Sequence, residues 1–191
     1  MIKKELIIIA GPNGSGKTTF AKSFLSEKKF EFLNADEISK ELANEKKEWA
    51  NAITSGKEYF RRLEKLLIHN KNIIIESTLS GLFMQKLIQR FRKEKYEITI
   101  IFVVLENPQI CIERIKERVK KGGHYVADKD VIRRFHRSKE NFWNIYKNMA
   151  DQWLMLDNSN QQVKEVAKGM KKSIEIKNEI LWKEFLESVK Y

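Results

Sequence analysis

Apolar runs bounded by turn residues alternate along this chain with stretches whose apolar residues recur at helical spacing, the pattern of a parallel α/β sheet. A first strand is expected at about Glu5–Ala10, its helix at about Gly16–Ser26, and a second strand at about Phe30–Asn34. Helices follow at roughly Ile38–Lys46 and Gly56–His69, the latter carrying Tyr59, Phe60, Leu63, Leu66 and Leu67 on one face. Next come a strand at Asn72–Glu76, a helix at about Leu82–Lys95 and a strand at Glu97–Leu105. A helix starting near Pro108 is broken after Lys120 by Gly122-Gly123. Asp128 reads as the N-cap of a helix through about Asn148, and Gln152–Leu156 as the last core strand. The segments Val163–Ala167 and Ser173–Ile176 form a small hairpin in this reading, with Asn178 capping a final helix to about Val189.

No linker, repeat or low-complexity segment interrupts this order, so a single domain over 1–191 is expected. It is a three-layer α/β/α fold with a five-stranded parallel sheet ordered 2-3-1-4-5, a lid-like segment at about 114–137 and a C-terminal appendage at about 160–191. With 42% apolar residues among 191, the chain can bury a substantial core. The lone Cys111 forms no internal disulfide, the first residues lack a secretory pattern, and apolar runs such as Ile98–Leu105 fall short of the ~20 residues a bilayer takes. A cytoplasmic location with no membrane contact is therefore expected.

The net charge of +11 suits a polyanion partner, yet most of it is lysine spread along the chain beside glutamate, as in Glu45-Lys46-Lys47-Glu48. Such a surface is solvated, and no interleaved aromatic pattern for stacking bases accompanies it, so nucleic acid is not the expected partner. The arginines behave differently. Only nine occur, and Arg114, Arg118, Arg133, Arg134 and Arg137 fall in one short region. Guanidinium is a planar, permanently charged fork suited to phosphate oxygens.

Directly after the first strand stands Gly11-Pro12-Asn13-Gly14-Ser15-Gly16-Lys17-Thr18, a complete G-x-x-x-x-G-K-T phosphate-binding loop, followed by Thr19 and a helix. The glycines let successive N–H groups point at a phosphate, and the helix N-terminus adds its dipole. Lys17 would reach the outer phosphates of ATP, and Thr18 would place a hydroxyl on Mg²⁺.

In a parallel sheet, chemistry collects at the carboxyl ends of strands. Asp36 follows the second strand: it is either an N-cap for the helix at Ile38, a carboxylate that orients a hydroxyl nucleophile, or a metal-associated group. Glu76-Ser77-Thr78 follow the third strand, where Glu76 either contacts substrate or water-bound Mg²⁺ or pairs with a lysine. Glu106 reads as a turn residue, and Asp157-Asn158-Ser159 close the fifth strand. Arg114 with Arg118, and Arg133 with Arg137, are four apart and share helix faces on either side of the glycine pair. A lid closing there would bring arginines onto a transferring phosphoryl group and exclude water. His69 and His136 read as surface residues, His124 is as readily structural as catalytic, and no His or Cys set has metal-ligand spacing.

The segments AGPNGSGKTTFAKSF, FLNADEI, IIIESTLSG, ERIKERVKKGGHYV, VIRRFHRSKENF and WLMLDNS, in that order over about Leu6 to Ser159, together resemble the zeta-toxin family of P-loop kinases, most closely its short chromosomal members. That resemblance implies a P-loop kinase fold and transfer of the γ-phosphate of ATP to a hydroxyl of a nucleotide-linked small molecule. The 3′-hydroxyl of UDP-N-acetylglucosamine is the leading acceptor, and an antitoxin protein the implied partner. It further implies that Asp36 is the catalytic base, that Glu76 and Thr78 contact substrate, and that Arg118 with Arg133 or Arg134 supplies the lid charge. Arg114 and Asn158 would lie near the adenine side.

Two rival readings remain at this stage. Leu79-Ser80-Gly81 mimics the start of an ABC-ATPase signature, with Val104-Leu105-Glu106 downstream, although the match lapses at Leu82-Phe83. The basic charge alone would also suit a polynucleotide 5′-kinase.

Overall fold

In the computed structural model the apolar run Lys4–Ala10 (β1) lies at the centre of a sheet, parallel to Ile73–Ser77 (β3) on one side and Tyr96–Val104 (β4) on the other. The described residues are 4–25, 30–44, 52–123, 125–160, 162–170 and 173–189. Outward from β3 runs Glu31–Leu33 (β2) and outward from β4 runs Gln152–Asp157 (β5), both parallel. This part has the order β2-β3-β1-β4-β5 expected from the sequence.

The sheet does not stop at five strands. Lys164–Met170 (β6) pairs antiparallel with β5, and Ser173–Ile176 (β7) with β6, giving seven strands among the described residues. The hairpin assigned to an appendage therefore extends the central sheet. Packing explains the join: the Trp153 indole of β5 lies over Gly169 of β6, where a Cβ would fall 2.4 Å from the ring, and Val166 and Ala167 are fully buried.

Lys17–Leu25 (α1), Ala35–Asn44 (α2), Ala52–Ile68 (α3), Phe83–Lys93 (α4) and Pro108–Lys120 (α5) connect the parallel strands. After the glycine loop, Asp128–Asn141 (α6) passes through a π-helical stretch, Phe142–Tyr146, into a last turn, Lys147–Met149 (α7). The chain closes on Glu179–Ser188 (α8), whose first turn is capped by Asn178, as its sequence predicts. Ala127, one residue earlier than expected, is the N-cap of α6. The expected helix ends at Ser26 and Lys46, and the loop residue His124, lie outside the described residues.

Alternate residues of the strands face two cores, because side chains switch sides at every position. Leu6, Ile8, Ile73, Ile75, Ile98, Ile100 and Phe102 pack on one face with Phe91, Phe142 and Phe185 from the helices. Ile7, Ile9, Ile74 and Ile101 pack on the other with Ala21 of α1. Phe142 stacks on Phe102 with ring centroids 4.1 Å apart, which pins the π-helical stretch to β4. That stretch and the end of α6 then hold the chain after β3: Tyr146 Oη donates to Gly81 O (2.5 Å) and Asn141 Nδ2 to Leu79 O (2.8 Å). Among the described residues no helix is long and apolar enough to cross a membrane.

Candidate active site

Gly11–Gly16 turns between β1 and α1 with neighbours pressed against it. Gly14 has φ +80°, and a Cβ there would lie 2.9 Å from Cys111 O of α5. Gly16 has φ +91°, and a Cβ there would lie 2.6 Å from Asn158 Nδ2. Both positions need glycine for conformation and for space. The same neighbours hold the loop in shape. Asn158 Nδ2 donates to Ser15 O (2.9 Å), and the Arg114 guanidinium donates to Asn158 O (2.7 Å) and Ser159 O (3.0 Å). Arg114 thus braces the loop against the end of β5.

Inside the cradle, Lys17 Nζ donates to Pro12 O (2.8 Å). Burial pushes its ammonium down to about 8, partly opposed by the negative charges of Glu76 and Asp36, while Arg118 pushes the same way as burial. Thr18 Oγ1 donates to Glu76 Oε2 (3.0 Å), so the end of β3 touches the first turn of α1. Burial holds the Glu76 carboxyl above the usual carboxylate range, against the pull of the Lys17 charge and of hydrogen bonds from Thr18 and Asn34. The other oxygen, Glu76 Oε1, is buried with no hydrogen-bond partner among the described residues.

Asp36 does not cap its helix. Asn34 Oδ1 accepts from the backbone N–H groups of Asp36 (2.8 Å) and Glu37 (3.3 Å), so α2 starts at Ala35, three residues earlier than expected. That leaves the Asp36 carboxylate in the first turn of α2, facing a cavity of about 720 Å³. Lys17, Thr18, Glu76, Thr78, Arg114, Arg118, Arg134 and Asn158 share the cavity wall. Asn13, Gly14, Gly16 and Thr19 line it too, whereas Gly11, Pro12 and Ser15 are buried and do not line it. Thr78 Oγ1 lies 2.8 Å from Ser80 Oγ within the turn that leaves β3.

The two candidate arginines of α6 part company. Arg134 lines the cavity, but Arg133 turns outward and pairs with Asp130 (2.8 Å), half-exposed. The buried stripe Val131, Phe135 and Ser138 fixes this phase, since Arg133 falls on the opposite side of the helix. Asn34 was missed in the sequence reading, although Asn34-Ala35-Asp36-Glu37 carries a recognisable helix-start pattern of Asn followed by Glu three residues later. Phe20, Ser23 and Val163 also line the cavity with no distinguishing sequence signal.

The Leu79-Ser80-Gly81 segment serves this site internally. The carbonyls of Leu79 and Gly81 are taken by Asn141 and Tyr146, and Leu79 is buried with φ +53°, so the segment braces the Glu76–Thr78 turn. Glu106 is exposed, outside the cavity, with its N–H bonded to Ser159 Oγ (2.9 Å). Neither feature is placed as an ABC-type ATPase would use it.

Among the described residues no cluster of three or more His, Cys, Asp or Glu side chains could hold a metal on its own. A Mg²⁺ ion seldom needs one, since it keeps several waters and takes the rest of its ligands from phosphates. The Thr18 hydroxyl and the unpartnered Glu76 Oε1 fit such an ion, the first as a direct ligand and the second as an acceptor for its water.

The AAA-domain family matches residues 6–142. The chain is similar to the cytidylate kinase of Archaeoglobus fulgidus, 24% identical over 183 residues, which covers 90% of this chain and 95% of that protein. Its fold is similar to a chain of the AvrRxo1-ORF1:AvrRxo1-ORF2 complex crystallised with ATP, with a TM-score of 0.74 at 14% identity; the likeness covers 96% of this chain and only 63% of that one. A chain of the PezAT chromosomal toxin–antitoxin system of Streptococcus pneumoniae aligns with a TM-score of 0.66 at 14% identity, over 97% of this chain and 80% of that one. The phosphate-binding loop, the parallel order around β1 and the family match agree: the chain belongs to the AAA-domain family and is a kinase-type P-loop NTPase with a zeta-toxin-like fold.

Proposed function

We propose that this protein transfers the γ-phosphate of Mg²⁺-bound ATP to a hydroxyl of a nucleotide-linked small molecule, with UDP-N-acetylglucosamine and its 3′-hydroxyl as the leading acceptor. The observation that carries this reading is the placement of Asp36, freed from capping by Asn34, on the same cavity as Lys17, Thr18 and Glu76. An acceptor hydroxyl seated there has a carboxylate to orient it and take its proton, and a cation to draw the phosphoryl group towards it.

The cradle N–H groups and Lys17 would hold the phosphates, and Thr18 the Mg²⁺, whose charge offsets that of the phosphate oxygens. Arg118 and Arg134 would neutralise charge building on the transferring group, from opposite sides of the glycine loop. Glu76 and Thr78 would contact the acceptor, while Arg114 and Asn158 would bound the nucleoside side of ATP. Arg133 has no part in this mechanism. The likeness to chains from the AvrRxo1-ORF1:-ORF2 structure and from the PezAT toxin–antitoxin system supports an antitoxin-type protein as partner.

The test is a mass-spectrometric screen of Mg²⁺-ATP reactions against nucleotide sugars, dinucleotides and oligonucleotides. One phosphate added to a nucleotide-linked alcohol is the expected result. ATP hydrolysis with no phosphorylated acceptor, or labelling of oligonucleotide 5′ ends alone, would overturn it.

A further inference from the structure

The turn that leaves β3 is held in a conformation its own sequence resists. Leu79 stands at φ +53° with its side chain buried, although the Cβ of a leucine disfavours the left-handed region. Inside the turn, the N–H groups of Leu79 and Ser80 reach only the hydroxyls of Ser77 and Thr78, at 3.0 and 3.4 Å. The carbonyls of Leu79 and Gly81 are met from outside, by Asn141 and Tyr146. A strained residue persists where its surroundings over-determine it, and here the surroundings are these two side chains.

The helix that carries them lets both reach one segment. Residues five apart on an α-helix point about 140° away from each other. In the stretch Phe142–Tyr146 the bonds run from residue i to i+5, as in Lys147 N–H to Phe142 O, so residues five apart lie nearly one above the other. The wider turn thus swings Tyr146 onto the side of Asn141. Tyr146 is fully buried, and the stack of Phe142 on Phe102 fixes the stretch against β4. Asn141 in turn follows Arg134 by seven residues, two turns of α6 along the same face. One helix face therefore brings a cation to the cavity at Arg134 and a clamp to the turn that follows Glu76 and Thr78.

We propose that Asn141 and Tyr146 are positioning residues for phosphoryl transfer: together they fix the turn after β3 against α6, and so set Thr78 relative to Arg134 across the cavity. This rests on the reading of Thr78 as an acceptor contact and of Arg134 as a lid cation. Neither Asn141 nor Tyr146 lines the cavity, so each acts through the turn and touches no reactant. The π-helical stretch is what joins the two clamps, since an unbroken α-helix would present one of them and turn the other away.

The experiment compares wild type with Tyr146→Phe, which removes one hydroxyl and keeps the buried ring, and with Asn141→Leu. Amide hydrogen exchange is read first, with no acceptor present. The expected result is faster exchange over residues 77–81 in both variants, with exchange over residues 11–18 and affinity for a non-hydrolysable ATP analogue unchanged. The affinity also reports that each variant is folded. Unchanged exchange over residues 77–81 would overturn the proposal. Transfer from ATP to UDP-N-acetylglucosamine is then measured well below the melting temperature. Acceptor kcat/KM should fall at least about tenfold with KM for ATP unchanged. Tyr146→Phe added to Thr78→Val should slow transfer no further than Thr78→Val alone, because both act through one contact. Additive losses, or a lowered melting temperature with wild-type kcat and acceptor KM, would remove the positioning role and leave the reaction. Loosened residues 77–81 with no transfer by wild type would leave the clamp standing and remove the assigned reaction.

Discussion

The Thr18 hydroxyl donates a 3.0 Å hydrogen bond to Glu76 Oε2, joining the first turn of α1 to the end of β3. The Thr18 hydroxyl is thus engaged by a carboxylate that burial disfavours in its charged form. The fold accepts this cost at the site where charge is needed.

Replacing Glu76 by Gln keeps an acceptor for Thr18 and removes the charge. Because the folded carboxyl titrates above its unfolded value of 4.5, its contribution favours the fold at low pH and is lost as pH rises through the folded value. The ligand-free variant should therefore melt above wild type at neutral pH. The difference should fade below about pH 4.5. Thermal melts across that range check this, and a variant no more stable than wild type at neutral pH contradicts it.

Lys17 has the opposite sense. Burial lowers it from 10.5 to about 8, so over that window the unfolded chain holds more protons and stability rises with pH. Phosphates in the cradle restore the charged form. ATP binding near pH 8.5 should accordingly take up a proton, seen as a buffer-dependent calorimetric enthalpy, and Lys17→Met should abolish that dependence.

Asp36→Asn should lower phosphoryl transfer by about 10²–10⁴-fold with ATP affinity within about twofold of wild type. Asn34, not Asp36, caps α2, so the melting temperature should barely move. Single-turnover transfer and ATP titration separate the two effects; transfer at the wild-type rate removes Asp36 from its assigned role.

The neighbouring arginines of α6 give a paired control. Arg134→Ala should reduce kcat by about 10²–10³-fold, as loss of a donor to developing charge does. Arg133→Ala breaks only an exposed pair with Asp130 and should leave kcat unchanged. Equal losses in both variants would contradict this division of roles.

The sequence by itself determined the cradle and the order of the parallel strands. Gly11 to Thr18 is contiguous, so its backbone carries its own geometry wherever it is placed, and five apolar runs separated by amphipathic helices leave few ways to wind a sheet. The glycine break before α6 was equally local. Tertiary structure decided what depends on phase and long-range register. A pair such as Arg133-Arg134 is separated only when the buried stripe of α6 docks, and the hairpin β6–β7 joins the sheet through the long-range pairing of β6 with β5, where Trp153 packs on Gly169. Asp36 and Arg118 reach one cavity only when α2 and α5 are brought together across it. Residues far apart in sequence share a site through packing, which no single local pattern records, whereas a loop that binds phosphate with its own N–H groups is written in one place.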